Sequence, residues 1–304
     1  MKPQCKRVLI FGNGRLIEQW RQMTKDVEQI KYCSNYDELA QYPVKDSAVL
    51  FAKVDLLLGI KLALRFKLKG YPKVMRRWMG TDVLNLKKLS AWQRLWALPI
   101  LKTTLDCNLV SASWLGDDLH NMGFKNINSW EAPSPLYYQC LQLTEQHIEH
   151  RWQQKPKTII IYSNEHREWL YKTQQMIELA EKLAEYQFIF VGHPDKQLGL
   201  SHNVKSIGIV DQEQMHELYC QSHFLIRITS HDGYSRMVVE AQQYGLQVIS
   251  NYPRVHGHFA KSNEQIIDVL DSINGANPDA RRYALDHFTP QKWTQTLLTQ
   301  LAAS

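Results

Sequence analysis

Residues 224–250 read FLIRITSHDGYSRMVVEAQQYGLQVIS, and this stretch decides the architecture. An apolar, β-branched run, FLIRIT, meets a glycine turn at Ser230-His231-Asp232-Gly233-Tyr234-Ser235. A helical pattern follows from Arg236 to Gly245, and a second β-rich run, LQVIS, comes next. Strand, glycine turn, helix and strand in that order form one unit of a parallel sheet wound with helices. The turn into such a helix presents backbone N–H groups and the positive end of the helix dipole, which suits a diphosphate. Ser235 is placed as the N-cap. Asp232 in the loop and Glu240 on the helix stand eight positions apart. Both can therefore point into one pocket around a polyhydroxylated ligand, because a carboxylate accepts two hydroxyl hydrogen bonds.

Outward from this unit the same alternation continues. TIIIYS at 158–163, a long helix from Trp169 to Tyr186, FIFVG at 188–192, NVKSIG at 203–208 and the helix QEQMHELYCQ at 212–221 precede it. Further upstream lie strands RVLIFG at 7–12, AVLFAKV at 48–54, PKVMRRWM at 72–79 and CNLVSAS at 107–113. A helix starts near Trp114 and closes at Gly123, where glycine takes the left-handed cap. In EAPSPL, Pro133 and Pro135 flank Ser134 and stiffen a segment that neither a helix nor a central strand tolerates. These patterns predict an α/β chain of two Rossmann-like, doubly wound parallel-sheet domains, 1–135 and 136–289. They are expected to face each other across a cleft, with the ligand at the carboxyl ends of the strands.

The bulk numbers agree with two ordinary cores: 304 residues, 44% apolar and 22% charged. Cys5, Cys33, Cys107, Cys140 and Cys220 are scattered without metal-ligand or disulfide spacing and are read as reduced, buried thiols. MKPQCKRVLIFGNG has too short an apolar run for a signal peptide, and Lys61 and Arg65 interrupt the best candidate membrane span, so a cytoplasmic chain is expected. Charge is uneven. Residues 1–135 carry 21 Lys+Arg against 12 Asp+Glu, whereas 136–304 carry 15 against 18. From Lys61 to Arg77 there are seven basic residues and no acid, with leucines, Phe66 and Tyr71 interleaved. Such a stretch either lies on an anionic bilayer, making the protein peripheral on the inner face of a membrane, or is a core helix whose cationic stems snorkel to water. Nucleic-acid motifs are absent and no nucleic-acid partner is expected.

The segment SHDGYSRMVVEAQQYGLQVIS resembles the E-x7-E element of retaining GT-B glycosyltransferases, family 4 above all. Asp232 stands in place of the first Glu, and Gly233, Glu240, Ala241, Gly245, Val248 and Ile249 match. The resemblance implies that Glu240 holds the ribose hydroxyls of a nucleoside-diphosphate-sugar and that Asp232 contacts the donor sugar. NVKSIGIVDQEQMHELYCQSHFLIRITS is similar to the family's preceding strand, helix and strand, which implies that the backbone near Ile209 and Val210 meets the nucleobase. FVGHP, with Gly192 and His193, resembles its glycine-containing strand end. In the first half KRVLIFGNG, with Gly12, Asn13, Gly14 and Arg15, is similar to its first glycine loop, and MGTDV, with Gly80, Thr81 and Asp82, to its G-T/S-D element. VSASWLGDDLHNMGF resembles the segment before the interdomain connection. HFTPQKWTQTLLTQL resembles the terminal helix, which implies that 290–304 packs back on the first domain.

Two departures stand out. The family's diphosphate-binding basic pair should follow TIIIYS, where Ser163 and Asn164 stand, so Arg167 and Lys172 are the substitutes. Met79 occupies the place of a histidine that contacts the donor sugar. Tyr234, Ser235 and Arg236 complete the expected donor pocket, and His231 is its local candidate for proton handling. Asp232 could instead only cap the following helix, and Asp82 the chain after Thr81. The reading is therefore a glycosyltransferase, implied to be retaining, acting on a glycan or lipid-linked acceptor in cell-envelope polysaccharide or glycolipid synthesis. No cofactor or metal is called for, since the chain has no D-x-D pair for a magnesium-bound diphosphate. A sugar-nucleotide 2-epimerase and a non-catalytic binding subunit remain open alternatives.

Overall fold

The computed structural model describes residues 5–12, 14–194 and 201–302. The chain forms two compact units, residues 1–132 with 290–304 and residues 133–289. In the first, β1 (Arg7–Phe11), β2 (Ile30–Cys33), β3 (Ser47–Phe51), β4 (Lys73–Trp78), β5 (Cys107–Val110) and β6 (Ile127–Ser129) make a parallel sheet in the order β2-β1-β3-β4-β5-β6. In the second, β7 (Lys157–Tyr162), β8 (Tyr186–Val191), β9 (Val204–Ser206), β10 (Phe224–Arg227), β11 (Gln247–Ser250) and β12 (His258–Phe259) make another, in the order β12-β11-β10-β7-β8-β9. The strands of RVLIF, SAVLF and TIII are near-continuous apolar runs because helices cover both faces of a parallel sheet.

Each unit has its own core. In the first, the helix Pro290–Ala302 supplies Trp293, Leu297 and Leu301 to a cluster with Trp20, Trp130, Val8 and Ile10. Trp130 and Trp293 stack 4.7 Å apart, and the Trp130 indole N–H donates to the Trp293 carbonyl at 3.0 Å. In the second, Ile159, Ile161, Phe188, Phe190, Phe224 and Ile226 fill one side of the sheet, and Ile160, Leu225, Val238, Ala241, Tyr244 and Val248 the other.

Two expectations change. The long helix from Trp169 to Tyr186 is two helices, Glu168–Tyr171 and Thr173–Lys182, and Tyr186 already belongs to β8. Lys172 breaks it in the left-handed conformation, φ 51° and ψ 40°, where non-glycine residues are uncommon. The reason lies in the neighbouring Thr173, whose hydroxyl bonds Ser163 at 2.6 Å and ties the second helix to the end of β7. The basic stretch is also not one surface. Arg76 and Arg77 lie inside β4, both buried, whereas the helix Leu56–Leu68 turns Lys61 and Arg65 to solvent.

Candidate functional site

The carboxyl ends of β7, β8 and β10 carry the loops that build the site. After β10 the chain runs through 228–235 into the helix Arg236–Gln243. Ser235 takes the N-cap position with extended backbone, φ −66° and ψ 131°, but its hydroxyl makes no capping bond. The expected N-cap is thus one of position and not of chemistry, and the first-turn amides are not occupied by that side chain.

The 228–235 loop is anchored to the segment after β7. Ser230 donates its amide to the Leu170 carbonyl and its hydroxyl to the Trp169 carbonyl, both at 2.8 Å. This brings the Arg167–Lys172 segment beside the loop, with the side chains of Arg167 and Lys172 exposed. Asp232 sits at the centre. Its Oδ2 accepts from Arg227 Nε at 2.7 Å and its Oδ1 from Arg227 Nη2 at 3.1 Å, a bidentate fork. Arg254 Nη2 stands 3.5 Å from Oδ2 and donates to the Gly233 carbonyl at 3.4 Å. The side chains of Asp232 and Arg227 are only 12% and 10% exposed. Burial works to lower the Arg227 guanidinium, but the Asp232 carboxylate outweighs it and holds the group above its usual range. At Arg254 burial wins and the guanidinium is pushed down. Two buried arginines against one carboxylate leave a net positive charge beside a helix start.

Glu240 projects from the middle of that helix into a buried place. Its Oε1 accepts from Ser134 Oγ at 3.1 Å and its Oε2 from Tyr219 Oη at 2.9 Å. Tyr219 lies on the helix Gln212–Gln221, fixed by a capping box between Asp211 and Gln214. The Ser134 hydroxyl also accepts from the Leu136 amide at 2.8 Å, which orients it toward Glu240. Burial raises the Glu240 carboxyl, with Arg236, Tyr219 and Ser134 opposing. Each carboxylate oxygen keeps one further acceptor site once these bonds are made.

The remaining expected residues divide. Gly192 has φ 89°, and a Cβ there would collide with the Ser163 carbonyl, so glycine is required where β8 ends. His193 is fully buried, its Nε2 2.8 Å from Glu168 and its Nδ1 3.0 Å from the Pro194 carbonyl, which fixes the ring from both sides. Ile209 is strongly exposed on the loop after β9 and Val210 is half-buried. Tyr234 packs 5.1 Å from Phe288 with Arg254 over its ring, and His231 and Arg236 are half-buried beside it in sequence. In the first unit Gly12 and Gly14 have φ 146° and 89° at the end of β1, and Arg15 opens the exposed helix start there. Asn13 lies outside the described residues. Gly80, φ 107°, leads into the helix Thr81–Lys87, and Asp82 Oδ1 accepts from the amides of Met79 and Val83 at 2.8 and 3.0 Å.

Sequence reasoning missed Arg227, Arg254, Ser134 and Tyr219. Arg227 had a signal, a lone cation inside the apolar run FLIRIT. The others had none, because they reach the site from separate elements. Among the described residues no group of three His, Cys, Asp or Glu is arranged to hold a metal.

No family model matches the chain, and no curated protein matches it in sequence. Solved structures do match its shape. Anabaena HepE, crystallised with UDP and glucose, superposes with a TM-score of 0.72 over 98% of this chain and 100% of its own, at 12% identity. The chain has the GT-B fold. Sucrose-phosphate synthase from Thermosynechococcus elongatus gives 0.63 over 94% and 80%, at 14% identity. The lipopolysaccharide outer core galactosyltransferase WaaB gives 0.55 over 97% and 99%, at 12% identity.

Proposed function

We propose that the chain is a glycosyltransferase that moves a sugar from a nucleoside-diphosphate-sugar to a hydroxyl of a glycan or lipid-linked acceptor, in cell-envelope polysaccharide or glycolipid synthesis. One observation carries the reading: a net positive set of Arg227, Arg254 and Asp232 beside an N-terminal helix turn, with the buried Glu240 further along the same helix. The diphosphate belongs at that helix turn, where the amides near Gly233 and Ser235 and the side chain of Arg236 meet it. As the sugar leaves, charge builds on the diphosphate, and fixed donors aimed there stabilise it without reorganising. Arg167 and Lys172, docked against Ser230, supply further cations. Glu240 offers its remaining acceptor sites to the ribose hydroxyls. Asp232 acts through its grip on Arg227 and Arg254, and its reach to the donor sugar is set by them. Gly12, Gly14, Arg15, Gly80, Thr81 and Asp82 are assigned to the acceptor. A retaining course follows the family resemblance, and independence from metal follows from the lack of a D-x-D pair. HepE and WaaB, whose names carry UDP, glucose and galactosyl transfer, support a UDP-sugar as the donor.

A thermal-shift panel of nucleoside diphosphates and their sugars tests this. A ligand at about 100 times its Kd adds roughly 2.7 kcal/mol, which for two domains of this size raises Tm by several degrees. A panel in which nothing binds sinks the reading. One observation favours a second reading, a nucleotide-sugar-binding subunit without turnover: Asp232 and Glu240 are both already engaged by protein donors. Binding with no release of nucleoside diphosphate, with or without acceptor glycans, selects it. Conversion of donor alone into an epimer selects a 2-epimerase.

A further inference from the structure

The helix Leu56–Leu68 buries Gly59, Ile60, Leu62, Ala63 and Phe66 against the first unit. Its other face turns Leu57, Lys61, Leu64, Arg65 and Leu68 to water, with Leu57 59% and Leu68 87% exposed. These positions fall on one helical stripe. The helix Ala91–Thr104 buries only Ala97, Leu101 and Thr104, and leaves Trp92 74% and Leu95 71% exposed, with Trp96 and Pro99 on the same side. The first helix joins β3 to β4 and the second lies between β4 and β5, so right-handed crossovers put both on one face of the sheet, where they pack side by side. Both exposed stripes therefore point away from the sheet.

Charge follows the same surface. Between Leu56 and Leu105 the sequence has eleven Lys and Arg and one acid, Asp82. Arg76 and Arg77 are buried, and Lys67 and Lys87 are held by Asp106 and Asp118. Lys61, Arg65, Lys69, Lys88, Arg94 and Lys102 are exposed.

We infer that the paired outer faces of these two helices dock on the surface of an anionic lipid bilayer, with Trp92, Leu95 and Leu68 entering the headgroup boundary and the surrounding cations meeting the lipid charge. Indole rings suit that boundary, being apolar with one polar edge. Leucines interleaved with cations are the composition of a helix lying in the interface plane. A second copy of the chain would bring the same cations against themselves across a two-fold, which opposes association. No described helix is long and apolar enough to cross a membrane, so the contact is one of surface docking. This inference goes beyond the transferase reading and stands without it.

Flotation of the full chain with vesicles tests it. Vesicles of equal parts phosphatidylcholine and phosphatidylglycerol carry the protein upward at low salt, and phosphatidylcholine alone does not. The double change Trp92→Glu and Leu95→Glu lowers binding roughly tenfold or more, and Lys61→Glu with Arg65→Glu lowers it and flattens the salt dependence. Leu141→Glu, at an exposed leucine of the second unit, leaves it unchanged. All four side chains changed in the patch are exposed, and an unaltered thermal melt confirms folding. Absence of parent binding, or undiminished binding by both double variants, overturns the inference. So does a parent dimer that Trp92→Glu and Leu95→Glu convert to monomer while vesicles bind neither, since the occupant is then a second copy.

Discussion

Both units bury arginines near the carboxyl ends of inner strands, and they hold them in opposite ways. In the first, the Arg76 guanidinium lies 3.9 Å from the centre of the Trp78 ring and Arg77 4.6 Å from that of Trp130. Arg76 reaches one acceptor, the Val54 carbonyl at 3.3 Å, and glycine at position 59 makes room for it. Burial pushes the Arg76 guanidinium down to about 10, with Asp82 and Asp55 only partly opposing. In the second, Arg227 is forked on Asp232 and is held above its usual range although burial works to lower it. An aromatic face attracts a cation without cancelling its charge, whereas a carboxylate cancels it and fixes its plane. The first arrangement is packing. The second is a balance of charges on which a loop residue or an anionic ligand can act.

The largest test of that contrast is Asp232→Asn. The shape is kept, but Arg227 and Arg254 are left buried without their carboxylate. Breaking such a pair costs about 3 kcal/mol, the low end for a buried pair because the side chains keep a little exposure. Urea unfolding measures it. On the functional reading, a nucleoside diphosphate then replaces the lost negative charge, so it raises Tm more in the variant than in the parent. A cost under about 1 kcal/mol would mean that Tyr162 and Tyr171, whose rings lie 5.9 and 5.5 Å from Arg227, hold it as Trp78 holds Arg76, and the contrast fails.

Glu240 gives a smaller effect with a definite sign in pH. Its carboxyl is raised by burial, so above the ordinary value near 4.5 the folded chain keeps a proton that the unfolded chain has lost. Its contribution is present below that value and is lost as pH rises through the folded one. Glu240→Gln removes the titration, so the difference in stability between variant and parent shifts in the variant's favour as pH rises from about 4 to 7. Glu240→Ala also strands the hydroxyls of Ser134 and Tyr219 and costs about 2 kcal/mol. On the functional reading it abolishes the thermal shift by donor as well. Stability that falls in parallel for parent and Glu240→Gln between those pH values refutes the burial argument.

The sequence was legible where the residues themselves carried the pattern. Inner strands such as RVLIF and TIIIY announced themselves because a covered parallel strand must be apolar throughout. The strands it missed, IKYC at β2, INS at β6 and HF at β12, all lie at sheet edges, where short, half-polar strands satisfy the chain without an apolar run. The helix break at Lys172 was invisible because lysine gives no turn signal, and the cause is a tertiary hydroxyl pair, Ser163 with Thr173. In the candidate site, the loop with Asp232 and the helix with Glu240 could be read from their spacing. Their partners could not. Ser134 is 106 positions from Glu240, and Arg254 is 22 from Asp232, and nothing in a local pattern records which distant side chain turns inward to meet a charge.

The smallest effect belongs to Arg76, and it separates packing from charge. If Trp78 and the room at Gly59 are what hold the guanidinium, an apolar side chain of similar length should serve nearly as well, because replacing a buried cation by a well-packed hydrophobe removes a desolvation penalty along with the attraction. Arg76→Met is expected to change stability by less than about 1.5 kcal/mol in either direction. It should also leave the thermal response to nucleoside diphosphates untouched. The same change at position 227 takes the bidentate partner from the Asp232 carboxylate and costs about 3 kcal/mol. Urea midpoints of the two variants, measured side by side, decide the matter. Equal losses would show that Asp55 and Asp82 hold Arg76 electrostatically after all, as the direction of their influence allows, and that the two units differ in geometry but not in principle.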